Sequence, residues 1–240
     1  MSTAPSNTVE MLRLTDLHAF YGESHILHGV DLHVNRGELV TLLGRNGSGR
    51  STTLKAILGL VGKRTGSITL SGAEITSVAP HRIARLGVGY CPEERGIFAG
   101  LSTEENLLLP PIVAPGGMTL EEIYGIFPNL QDRRNSPGTR LSGGEQQMLA
   151  MARVLRTGAK VLLLDEITEG LAPVIVKKLG EVIRLLKTRG YTIILVEQNF
   201  RFAAPLADRH YVLEHGHVIM TVQPHELAAK TDELHELLGV

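Results

Sequence analysis

The sequence predicts an α/β domain with a central, mainly parallel sheet and a helical insertion in the middle of the chain. Three observations carry that prediction. ELVTLLG, KVLLLDE and YTIILVEQ are short, mostly apolar runs of the kind found in strands covered on both faces. Helical patterns fall between them, over 51–60, 80–86, 144–156 and 174–188. From Ser102 to about Arg140 no strand-like run occurs.

In chain order, MLRLTDL and GVDLHVN alternate apolar and polar residues, as half-buried strands do, and Gly37 punctuates before the first buried run. The insertion starts with STEENLLL, where a Ser/Thr cap is followed by early glutamates. PPIVAPGG and MTLEEIYGIF follow, and polar QDRRNSPGT closes the insertion as a loop. Around Gly216, EHGH reads as a hairpin turn with solvated rings, and HELAAKTDELHELLGV as one or two amphipathic helices.

Composition narrows the function classes. With 24 Lys plus Arg against 25 Asp plus Glu, the chain presents no overall field for a polyanion, which argues against nucleic-acid binding. Cys91 is the only cysteine, so an internal disulfide framework and a cysteine metal cluster are both excluded, and a reducing cytosol fits. MSTAPSNTVEMLRL lacks the basic-then-apolar order of a secretory signal. NLLLPPIVAPGGMT, the longest uncharged stretch, is too short and too broken by proline to span a bilayer, so any membrane role is peripheral. The HEL segments at His225 and His235 are not helical zinc motifs, because Ala229 and Gly239 stand where the second histidines would be.

GRNGSGRST, Gly44 to Thr52, directly follows a strand-like run. Glycines at 44, 47 and 49 permit tight turns, and a helix starting near Arg50 would aim several backbone N–H groups at one anion. Ser51 stands where a loop hydroxyl ligates Mg²⁺. An ordinary glycine-rich strand-to-helix turn would look much the same. VLLLDE puts Asp165 and Glu166 at a strand end, where one carboxylate can hold Mg²⁺ through water and the other can deprotonate an attacking water. A solvated strand end is the plainer account of that pair alone. LSGGEQQ, Leu141 to Gln147, is rarer: Ser142 and two glycines opening a long helix make a second anion site. Chance does not readily place three phosphate-directed elements in this order.

With these elements the chain resembles the ATP-binding subunits of ABC transporters over nearly its whole length. GRNGSGRST is similar to the Walker A loop, LSGGEQQ to the signature, and VLLLDE to Walker B with its catalytic glutamate. FYG offers Tyr21 where that family stacks an aromatic ring on adenine, while YCPEERGIF and ILVEQN stand at the Q-loop and the switch. CPEERGIF, LSGGEQQMLAMAR, EGLAP, LVEQN and YVLEHG resemble the ATPases of high-affinity branched-chain amino acid uptake systems and the closely similar urea and short-chain amide systems. DEITEG leans toward the urea type.

The resemblance implies a P-loop NTPase (RecA-like) core with an N-terminal antiparallel β subdomain and an inserted α-helical subdomain. On that pattern 1–240 is a single cassette, with β subdomain and core over 1–93 and 158–240 and the signature-bearing helical part over 94–157. ATP would meet Tyr21 and the loop residues Gly44, Arg45, Asn46, Gly47, Ser48, Gly49, Arg50, Ser51 and Thr52. Mg²⁺ would be handled by Ser51, Glu93 and Asp165, with Glu166 as general base and Gln198 beside it. Leu141, Ser142, Gly143, Gly144, Glu145 and Gln146 would contact the ATP of a partner chain. The implied partners are a second ATPase subunit, identical or different, transmembrane permease subunits and an extracytoplasmic solute-binding protein. The implied location is cytoplasmic, peripheral on the inner face of the cell membrane.

Some positions depart from the general family pattern. Glu93 replaces the Q-loop glutamine, Gln198 the switch histidine and Ala172 the D-loop aspartate, all in the style of the branched-chain subfamily. Ile167 follows Glu166 where proline is usual and reads as a packing substitution. Arg50 replaces the Walker A lysine. A guanidinium keeps the charge toward phosphate but is planar and bulkier, so ATP binding is expected to persist while hydrolysis slows. An ATP-sensing regulatory subunit with little turnover is the alternative. An ABC ATPase of DNA repair or translation ranks below both, since no coiled-coil insertion, second cassette or basic footprint is present.

Overall fold

The computed structural model describes residues 9–239. Residues 1–8, most of the stretch MSTAPSNTVEMLRL that lacks the order of a secretory signal, and Val240 lie outside the described residues.

β1 (Glu10–Tyr21) and β2 (Ser24–Asn35) form an antiparallel hairpin whose apolar positions are buried in alternation, as MLRLTDL and GVDLHVN predict. β3 (Leu39–Leu43) follows, fully buried, and leads through the glycine-rich loop into α1 (Arg50–Ile57). β4 (Lys63–Leu70) pairs with β1, and β5 (Ala73–Glu74) with β4, completing a 4-stranded antiparallel sheet in the order β2-β1-β4-β5. α2 (Pro80–Arg85) and β6 (Val88–Cys91) come next.

Between β6 and the following strand the described residues hold only helices and one isolated bridge, Ser102 to Pro137. α3 (Thr103–Leu108), α4 (Leu120–Ile126), α5 (Pro128–Asp132) and α6 (Gly143–Arg156) make up this part. Full capping boxes open α3, α4 and α6, each pairing a Ser or Thr with a Glu three residues on.

β7 (Val161–Asp165), α7 (Pro173–Thr188), β8 (Thr192–Val196) and the short α8 (Phe200–Ala203) return the chain to the large sheet. β9 (Arg209–Glu214) and β10 (His217–Val222) form the hairpin expected at Gly216, and α9 (Thr231–Leu238) is the single α-helix of the C-terminal segment. The second sheet is 6-stranded in the order β10-β9-β3-β8-β7-β6, parallel except for β10.

Successive residues of the central strands face opposite cores, which is why their sequences read as unbroken apolar runs. Leu162, Leu164, Ile193 and Leu195 join the core shared with α6 and α7. Leu163, Ile194, Val196, Val40 and Leu42 join the core shared with the antiparallel sheet and α1. Ile167, 1% exposed, belongs to the first of these cores, the packing role its sequence position suggests. β4, β5, β6 and the two strands flanking the turn at Gly216 are additions to the strands read from sequence. β9 in particular looks polar in sequence because Arg209 and His210 are buried in it, each with a partner: Glu38 at 2.8 Å and Thr41 at 2.7 Å.

Candidate active site

The carboxyl ends of β3, β8 and β7, neighbours in the sheet, bring the candidate residues together. This is the edge at which open parallel sheets bind ligands. β3 ends at Leu43 and releases the loop 44–49. Gly49 caps α1 at φ 105, a left-handed conformation that costs glycine little, and no side chain makes a capping hydrogen bond at the helix start. No acidic residue sits in the first turn of α1 itself. At Gly44 a Cβ would lie 2.3 Å from the Leu213 carbonyl and 2.6 Å from Ser48 Oγ, so only glycine fits. Ser48 Oγ is buried without a hydrogen-bond partner, an unsatisfied group inside the loop that a phosphate oxygen would satisfy.

Arg50 turns back into this loop. Its Nη1 donates to the Gly44 carbonyl, and its Nη2 donates to Asn46 Oδ1 at 3.4 Å and to Glu166 Oε1 at 2.7 Å. The Arg50–Glu166 ion pair is buried, with side chains 4% and 10% exposed. Burial lowers the Arg50 pKa, opposed by the charges of Glu166 and Asp165. Glu166 follows the last residue of β7 at φ 45, rare for a side chain with a Cβ, and its N–H donates to the Val196 carbonyl at 2.9 Å. Gln198, exposed just past β8, donates from Nε2 to Glu166 Oε2 at 2.8 Å. Both oxygens of the candidate base are thus held, one by a cation and one by an amide.

Asp165 ends β7. Its Oδ1 accepts from Ser51 Oγ at 2.8 Å and its Oδ2 from Tyr90 Oη at 3.0 Å. Burial raises its pKa, and the two hydroxyls oppose that shift. Glu93 lies exposed two residues past β6; desolvation and then the neighbouring charge of Glu166 raise its pKa. The Ser51 hydroxyl and these carboxylates are hard oxygen donors, a set that fits Mg²⁺.

Tyr21 stands at the end of β1, 42% exposed. Ser142 caps α6, accepting from the Glu145 N–H at 3.3 Å, and Gly143 and Gly144 open that helix. Leu141 is buried, and Gln146 donates to the carbonyls of Gly138 and Leu141, both at 3.2 Å. Among the described residues no hydrogen bond joins 141–146 to the phosphate loop, so one chain brings together the loop and the two strand-end carboxylates but not the glycine pair of α6.

Sequence reasoning did not single out Tyr90, Glu197 or Thr168. Glu197 is 2% exposed and accepts from the Thr168 N–H at 3.1 Å and the Thr168 hydroxyl at 2.8 Å. Burial pushes its pKa up to about 7 despite those bonds. The signal was present: an acid ending the apolar run TIILV.

The sequence matches the family model described as ABC transporter over residues 27–169. It is 39% identical over 213 residues to the high-affinity branched-chain amino acid transport ATP-binding protein BraG of Pseudomonas aeruginosa, spanning 88% of this chain and 91% of that protein. It is 40% identical over 225 residues to the probable branched-chain amino acid transport ATP-binding protein LivF of Archaeoglobus fulgidus, spanning 90% and 94%. A solved structure described as the ATP binding subunit of an ABC transporter superposes with a TM-score of 0.81 at 27% identity, covering 96% of this chain and all 100% of that one.

Proposed function

Because this chain belongs to the ABC transporter family as an ATP-binding subunit, we propose that it binds Mg-ATP and hydrolyses it to drive uptake of branched-chain amino acids, urea or related small amides. The observation that carries this reading is the convergence of Arg50, Ser51, Asp165, Glu166 and Gln198 at the carboxyl ends of neighbouring strands. The names of the two relatives support the branched-chain class, and DEITEG supports urea.

In this reading the backbone amides of 44–52 cradle the phosphates, and Ser48 Oγ gains the partner it lacks. Tyr21 stacks on adenine. Arg50 leaves Glu166 and turns its guanidinium to the β- and γ-phosphates. Glu166, released, accepts a proton from the attacking water at a carboxylate oxygen, and Gln198 orients that water. Mg²⁺ supplies charge neutralisation on the phosphate oxygens, handled by Ser51, Asp165 and Glu93. Leu141 to Gln146 serve the ATP of a partner cassette, so two subunits, identical or different, meet head to tail. Closure and opening of that pair drive a permease between inward and outward states.

No helix of the described residues is long and apolar enough to cross a membrane. Separate permease subunits, a solute-binding protein outside and a position on the inner face of the membrane complete the assembly. Permease contact falls on the segment 93–98 and the stretch after Ser102. A cavity of 410 Å³ lined by Tyr90, Pro92, Arg95, Pro110, Pro111 and Arg153, with Phe98, Leu108 and Ile112 exposed, supports that assignment. The division of the cassette at 1–93, 94–157 and 158–240 belongs to the same proposal.

Arg50 slows the chemistry. Its buried pair with Glu166 must open before the base is free, and its fork does not overlay a lysine. That same pair favours the second reading, a regulatory subunit that senses ATP with little turnover. ATP affinity and steady-state turnover of the natural chain, Arg50→Lys and Glu166→Gln decide between them. Faster turnover in Arg50→Lys with retained affinity is expected, and Glu166→Gln should be inactive. Equal turnover in the natural chain and Arg50→Lys removes the claim of slowed chemistry. Turnover at the Glu166→Gln background in the natural chain selects the regulatory reading, and undetectable ATP binding sinks both.

A further inference from the structure

We propose that Glu197 is a positioning residue for hydrolysis, fastening the turn that carries Glu166 to the loop that carries Gln198. The inference rests on the ATPase reading above. Thr168 lies two residues after Glu166, and Glu197 directly precedes Gln198. The Glu197 carboxylate takes both the Thr168 N–H, at 3.1 Å, and the Thr168 hydroxyl, at 2.8 Å. Gln198 Nε2 in turn holds Glu166 Oε2 at 2.8 Å. The two segments therefore close a ring: Glu166, Ile167, Thr168, across to Glu197, Gln198, and back to Glu166.

Physical grounds single this ring out. Glu166 sits at φ 45, so its direction is imposed by its surroundings rather than by its own backbone preference. Gln198 is exposed and hangs from a loop, which by itself would leave its amide free to wander. Glu197 is the buried group that joins both. An ionisable side chain 2% exposed is costly where an apolar one would pack, and its partners on the opposite segment account for its presence. Thr168, 6% exposed, is the matching half: its hydroxyl and its N–H both point at one carboxylate.

The test uses the full chain in four variants. Glu197→Ala removes both acceptors, and Thr168→Val removes only the hydroxyl. Glu197→Gln keeps an oxygen for the N–H and an amide for the hydroxyl, while Thr168→Ser keeps every bond. Expected is a roughly 10- to 100-fold fall in kcat for Glu197→Ala, the size of a misplaced catalytic group, with the Kd for ATP within about twofold. Thr168→Val should lose a smaller factor, the Glu197→Ala/Thr168→Val double variant no more than Glu197→Ala alone, and Glu197→Gln and Thr168→Ser should stay near the natural rate. Amide hydrogen exchange over 166–170 in nucleotide-free protein should accelerate in Glu197→Ala. If Glu197→Ala does not fold, Thr168→Val against Thr168→Ser carries the same comparison. Natural kcat in Glu197→Ala, losses that multiply in the double variant, or a Glu197→Gln as slow as Glu197→Ala overturn the inference while the ATPase reading stands. Absence of turnover in the natural chain overturns that reading itself.

Discussion

Arg50 and Glu166 neutralise each other inside the site, and removing one leaves the other buried without a counter-charge, a loss of about 3–5 kcal/mol. Arg50→Ala should therefore lower the urea midpoint well below that of Arg50→Lys, which keeps a cation near Glu166. Midpoints within error of each other would show that the pair contributes nothing to folding. His210 makes a second residue-scale prediction. It is fully buried on β9, its Nδ1 lies 2.7 Å from Thr41 Oγ1, and burial pushes its pKa down to about 4. In the unfolded chain it protonates near pH 6.5. Between about pH 6.5 and 4 the unfolded state thus binds a proton that the native state refuses, and stability falls as pH falls, by at most ~3 kcal/mol. Above about pH 7 the effect vanishes. His210→Asn should shrink the drop in thermal midpoint between about pH 7.5 and 5. Arg50, Ser51, Asp165 and Glu166 are legible in the sequence because each stands in a short motif with one evident chemistry. Their pairings are not: Arg50 and Glu166 are separated by 116 positions, and nothing local says that a cation reserved for phosphate will rest on the base.

At the scale of elements, α3, α4 and α6 start in the same way, with Ser102/Glu105, Thr119/Glu122 and Ser142/Glu145. Such a cap contributes about 1 kcal/mol. Thr119→Ala should cost that much in chemical denaturation and leave ATP turnover unchanged, since it caps α4 and belongs to no phosphate-directed segment; a loss of turnover would tie α4 to the chemistry. These helices are legible because cap and periodicity agree. The buried strands β3, β7 and β8 are legible for the same reason, pattern and burial pointing one way. β9 is obscured because its polar residues find partners far away in sequence, Glu38 and Thr41. β6 is only four residues long, too short for alternation to register.

Across the whole molecule, one sheet feeds the two large cores and a third, smaller one with Phe200 and Leu234, so damage on either face reaches the same strands. Ile194→Ala on one face and Leu195→Ala on the other should each cost about 2–5 kcal/mol. Both should shift a single unfolding transition; two separated transitions would mean that the cores fold independently. The floor of the phosphate loop has a consequence of a different kind. Gly44 lies against the Leu213 carbonyl, the Gly216 N–H donates to the Ser48 carbonyl at 3.0 Å, and β3 pairs in parallel with β9. All of those supports lie more than 150 positions further along the chain than the loop, in β9 and at Gly216. Synthesis runs from the N-terminus at about 5–20 residues per second, so the stretch from Gly44 to Thr52 emerges roughly 8–30 s before its supports. A nascent chain paused short of β9 carries the loop sequence without the Leu213 and Gly216 contacts, so the shape of the loop is completed only after β9 and Gly216 have been made.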